Sequence, residues 1–68
     1  MPRTCYAILH RGTRRYLTLP PHLGVYDTTP DAAKAYTWDS MTDAELAHAE
    51  LEDFRGNHTV ELLTREDS

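Results

Sequence analysis

"TCYAILHRGTRRYLTL", residues 4–19, reads as two β-prone runs around a tight basic turn, and the register of that turn governs how the remaining chain can pack. Gly12-Thr13 at the two central positions makes a type II′ turn, because glycine accepts the positive φ of the first position without a Cβ clash. This register sets Leu9 opposite Tyr16, Ile8 opposite Leu17, Ala7 opposite Thr18 and Tyr6 opposite Leu19. Tyr6, Ile8, Leu17 and Leu19 then share one face, and Cys5, Ala7, Leu9, Tyr16 and Thr18 share the other. Moving the turn to Arg11-Gly12 would set Ile8 against Arg15 and spoil the apolar face.

Outward from the hairpin, "PPHLG" (20–24) ends the second strand, since proline cannot donate to a central ladder. In "DTTPDAAKAYTW" (27–38), Thr29 is a candidate N-cap, with Pro30 at the first helical position and Asp31 in the first turn, which predicts a short helix. "SMTDAELAHAELEDFRGN" (40–57) predicts a longer helix over 42–54. Thr42 and Glu45 form a capping box there, Met41 staples onto Leu46, and Gly56 supplies a left-handed stop. Ala44, Ala47, Leu51 and Phe54 share its apolar face. "HTVELLT" (58–64) closes the chain as a strand, with Val60 and Leu62 on one side and Thr59, Glu61 and Leu63 on the other.

The expected architecture is therefore α+β: a single domain over 1–68, with a three-stranded antiparallel sheet of residues 4–10, 14–19 and 58–64. A short and a longer helix lie on one face, in the order ββααβ. Tyr6, Ile8, Leu17, Leu19, Val60 and Leu62 would meet Ala47, Leu51, Phe54 and Trp38. Ala7, Leu9, Tyr16 and Leu63 would stay uncovered on the other face, which points to a partner or a homodimer through that exposed sheet face.

A chain of 68 residues has a thin stability margin, because small domains bury only about 60% of the surface their unfolded chains expose. A deep cleft would remove core that it can hardly spare, which favours a binding surface over an enzyme. A lone cysteine, Cys5, excludes an intramolecular disulfide framework. The first residues lack a long apolar run and nothing approaches a membrane span, so the expectation is a cytoplasmic protein without a membrane partner.

Spacing offers no zinc motif: C-x-x-C, H-x-x-x-H and H-E-x-x-H are all absent from the sequence. A strand cysteine beside a tyrosine reads as a packing residue, and carboxylates along an amphipathic helix read as its solvated side. No metal, cofactor or catalytic residue is expected. A small enzyme or accessory subunit built on Cys5 and a histidine would need an orienting third group that the sequence does not supply.

Charge is the most unusual feature. Residues 1–26 carry Arg3, Arg11, Arg14 and Arg15 and no acid, while all eleven acids lie further on, in a chain of net charge −4. Two surfaces follow: a basic hairpin tip of Arg11, Arg14 and Arg15 with Tyr16 beside it, and an acidic helix carrying Asp43, Glu45, Glu50, Glu52 and Asp53. Complementary charge of this kind steers encounter and rejects wrong partners.

Tyr16-Leu17, the Ala33 to Tyr36 segment and the capped Thr42 to Leu51 helix together resemble the small strand–strand–helix–strand proteins of bacteriophages and prophages. Small acidic phage proteins of this size are similar to anti-CRISPR inhibitors, which use negative surfaces to occupy basic nucleic-acid grooves. The resemblance implies a non-catalytic protein, in the host cytoplasm if phage-encoded. Its partner would be a host protein or ribonucleoprotein such as a CRISPR effector. The alternative expectation is a small nucleic-acid-binding or regulatory module that uses the arginine hairpin.

Overall fold

The structure is a computed structural model and describes residues 2–51 and 56–66. Strands β1 (Pro2–His10), β2 (Arg15–Leu17), β3 (Thr28–Thr29) and β4 (His58–Glu66) form an antiparallel sheet in the order β3-β2-β1-β4. Helix α1 covers Met41–Glu50. The fold is α+β, but among the described residues the sheet has four strands and there is a single α-helix, where three strands and two helices were expected.

The hairpin register is the expected one, with Leu9 opposite Tyr16 and His10 opposite Arg15. Its turn differs. Residues 11–14 make a four-residue loop, closed by Arg14 N–H to the His10 carbonyl at 2.8 Å. The positive φ falls on Arg14 (58°) instead of Gly12. At position 12 a Cβ would lie 3.1 Å from Cε1 of the His10 ring, so any larger residue would press on that ring.

Strand β2 stops at Leu17 instead of running to Leu19. A competing segment takes the groups that would have continued the ladder. Tyr36 N–H donates to the Leu17 carbonyl, and Tyr6 and Trp38 exchange both backbone hydrogen bonds, at 2.9 and 2.8 Å. Thr18 N–H turns away to the Asp27 carbonyl, which brings Thr28 opposite Leu17 and Thr29 opposite Tyr16 as β3. Thr29 is thus a strand residue, and the short helix expected after it is only one 3-10 turn, Ala32–Lys34, capped by the Asp31 side chain on Ala33 N–H.

Helix α1 begins one residue before the expected start, because Ser40 rather than Thr42 caps it, accepting from Asp43 N–H at 3.1 Å. The regular helix ends at Glu50, with Leu51 as its C-cap. Phe54, expected in the core, lies outside the described residues. Gly56 does adopt a left-handed conformation, at φ 62°.

The core on the helix side is Ile8, Leu17 and Ala47, with Trp38 and Leu51 packed against it. Leu62 was expected there and is instead 57% exposed. Helix α1 approaches β4 at its first residue, where His48 Nε2 meets the His58 carbonyl at 2.9 Å, and this leaves Leu62 beyond the helix.

The other sheet face is covered, which corrects the expectation of an open apolar face. Cys5 and Ala7 have no exposed surface and Leu9 keeps 3%. Arg65 belongs to this face, being opposite Arg3 in the β1–β4 register. Its Nη2 donates to the carbonyls of Ala32, Ala33 and Ala35 at 2.8–3.1 Å, so the segment carrying the 3-10 turn lies against this face and not on the helix side. Tyr16 and Leu63 are half-buried. A homodimer through an exposed sheet face therefore loses the apolar patch on which it rested.

Candidate functional site

The hairpin tip is braced from below. His10 Nδ1 accepts from Thr13 N–H at 3.1 Å, and the His10 ring meets the His58 ring edge-on at 4.8 Å. Tyr26 Oη lies 3.0 Å from His58 Nε2, and Arg11 N–H donates to the Asn57 carbonyl at 2.6 Å. These contacts hold Arg11 and Arg14 outward, both exposed.

Arg15 is turned to a different task. Its Nε and Nη2 donate to Thr28 Oγ1 and to the Thr28 carbonyl, each at 2.9 Å, so it clamps β3 onto the hairpin. Tyr16 is half-buried, between Leu9 and Thr29 in the sheet register. Of the four tip residues named from the sequence, Arg11, Arg14, Arg15 and Tyr16, only Arg11 and Arg14 are exposed.

Asp43, Glu45 and Glu50 are exposed along α1, while Glu52 and Asp53 lie outside the described residues. The helix runs from Ser40, just after the Trp38–Tyr6 bridge, to His48 at the His58 carbonyl. His58 pairs with His10, from which the tip projects, so the Glu50 end of the helix arrives at the basic end of the sheet. Glu50 is the acid brought to this end, while Asp43 and Glu45 lie on the earlier turns of the helix. The one ion pair seen among the described residues, Arg3 to Asp39 at 3.6 Å, is highly exposed and contributes little to stability.

A third group joins them. Leu23, Val25 and Tyr26 are each more than half exposed, and Val25 and Tyr26 line a shallow groove with Leu19, Glu50 and Leu51. The Tyr26–His58 contact ties this loop to the tip. The sequence held a signal for it: three large apolar side chains in a Pro- and Gly-bounded stretch belong to no amphipathic element. Aromatic and arginine side chains together at one end match the anatomy of protein-contact hot spots.

Cys5 is fully buried, with its thiol directed to the Leu63 carbonyl at 3.7 Å. Among the described residues no group of three or more His, Cys, Asp or Glu side chains is arranged to hold a metal ion. Nor is any helix among them long and apolar enough to cross a membrane. No protein-family model, curated protein or solved structure matches the chain.

Proposed function

We propose that the chain is a non-catalytic binding protein that docks on a host protein or ribonucleoprotein through the end of the molecule formed by the hairpin tip. The observation that carries this reading is the convergence there of exposed Arg11 and Arg14, the apolar loop residues Leu23, Val25 and Tyr26, and the acid-bearing end of α1. Tyr26 and its neighbours would supply the desolvated contact, and the charges would orient the approach. Asp43, Glu45 and Glu50 suit a basic surface that otherwise holds nucleic acid. With the mobile-element resemblance, this makes a CRISPR effector the class of partner to test first.

The test is a plasmid-interference assay in cells carrying a CRISPR system, paired with binding measurements on the purified effector. The parent chain should restore plasmid uptake and bind the effector. Tyr26→Ala, and separately Arg11→Glu with Arg14→Glu, should each weaken binding about tenfold or more, as loss of a central contact does. Binding that survives both changes would refute the end-on surface. A salt-sensitive mobility shift with bare DNA would favour the arginine hairpin as a nucleic-acid contact instead.

A further inference from the structure

Strand β4 lies at an edge of the sheet, and the Tyr6–Trp38 bridge reveals which of its backbone groups are open. Tyr6 directs both its N–H and its C=O to Trp38, away from β4, so Tyr6 and Leu62 form a non-hydrogen-bonded pair. Leu62 therefore turns its own N–H and C=O to the edge, and the alternation of an antiparallel ladder makes Val60 and Thr64 do the same. His58 follows the same phase, and its outward carbonyl is the one His48 caps. Among the described residues, no such cap falls on Val60, Leu62 or Thr64. The β1–β4 register runs from Pro2 opposite Glu66 to His10 opposite His58 without a bulge, and 58–66 contains neither Lys nor Pro. Bulges, Lys and Pro are among the devices that stop an edge from pairing with another strand; the charges this strand does carry are Glu61, Arg65 and Glu66.

Two side chains indicate what the edge accepts. Glu61 is half-buried on the sheet face opposite α1 and has no hydrogen-bond or ion-pair partner among the described residues. Arg65, on the same face, meets only neutral carbonyls there and no carboxylate. Four residues apart on an extended strand, they are about 13 Å from each other and cannot pair within one chain. In an antiparallel pair of β4 strands centred on Leu63, Glu61 of each copy falls directly opposite Arg65 of the other. The same register sets Leu62 opposite Thr64, so their open N–H and C=O groups satisfy one another reciprocally.

We propose that β4 pairs with β4 of a second copy in this register, joining two sheets into one continuous sheet across a two-fold axis. The occupant is a second copy because the unpaired charges of the strand are complementary to themselves only when the strand is reversed. Such an isologous contact closes on itself and leaves no further edge at β4. The inference is independent of the docking end, which lies at the hairpin tip.

Sedimentation velocity of the full chain over micromolar to millimolar concentration tests it. The parent should show a reversible monomer–dimer equilibrium. Leu62→Pro removes an outward N–H that β1 does not use, so it should abolish the dimer while the near-ultraviolet circular dichroism stays parental. Should that variant lose its fold, Leu62→Lys leaves the backbone intact and should give the same monomer. Glu61→Lys places like charges opposite one another and should raise the dissociation constant about tenfold or more. Leu46→Lys, on an exposed helix position, should change nothing. A parent that stays monomeric throughout, or a dimer that survives the Leu62 and Glu61 changes, overturns the proposal.

Discussion

The two faces of the sheet are buried by different means. On one, α1 supplies a regular cover: a capped helix sets Ala47 against Ile8 and Leu17, with Trp38 and Leu51 alongside. On the other, Cys5, Ala7 and Leu9 are sealed beneath chain that has almost no regular structure, and Arg65 holds it by the carbonyls of Ala32, Ala33 and Ala35. A helix satisfies its own backbone and can offer a purely apolar face. An irregular strap presents unpaired carbonyls, so it needs a donor that reaches across the sheet. An arginine suits this task, since its long side chain brings one Nη2 group to all three carbonyls. The comparison teaches that a small domain can close a second face without a second helix, provided one charged side chain replaces the missing ladder.

The largest effect expected is on the helix side. Ile8→Ala removes a fully buried side chain from the cluster and should cost about 2–5 kcal/mol, enough to unfold much of the population at physiological temperature. Chemical denaturation read by Trp38 fluorescence checks it. A loss under about 1 kcal/mol would mean that the helix side is not the main core.

Arg65→Met breaks the strap side selectively. Losing the contacts to the carbonyls of Ala32, Ala33 and Ala35 should cost about 2–3 kcal/mol, as hydrogen bonds to a charged group do. Amide exchange should then rise first at Lys34, Ala35 and Tyr36, while the amides of α1 keep their protection. Uniform loss of protection would mean that the two faces are not separable units.

Ser40→Ala sharpens the helix side. Its hydroxyl caps Asp43 N–H, and its removal should cost about 1 kcal/mol, whereas Thr42→Ala should be nearly silent. Equal effects of the two would restore Thr42 as the cap. The smallest change expected is a gain: Arg14→Gly relieves a left-handed backbone at φ 58° and should leave stability unchanged or raise it by up to about 1 kcal/mol. A drop in the thermal midpoint would show that the Arg14 side chain has a folding role.

Much of this was legible locally. The register of Leu9 with Tyr16, the presence of a closing strand and a capped helix after Asp39 all follow from alternation, turn chemistry and capping preference, which act over a few residues. The choice between Ser40 and Thr42 as cap was not legible, because both are good caps within one turn and packing selects between them. Of the proposed binding surface, Arg11, Arg14, Asp43, Glu45 and Glu50 were readable as exposed charge, and they are exposed. Arg15 was not readable, since its diversion to Thr28 depends on a strand that forms only after the chain has returned to the hairpin.

By itself, then, the sequence determined the hairpin, its apolar and polar alternation, the helix and the separation of basic from acidic segments, because each depends on neighbours in the chain. Tertiary structure alone decided the rest. Trp38 beside Tyr6, β3 beside β2, and Arg65 on the carbonyls of the strap join residues distant in sequence by backbone hydrogen bonds or a long side chain. Backbone groups are the same at every residue, so a sequence pattern cannot say which of them will meet; that depends on where the whole chain has already placed them.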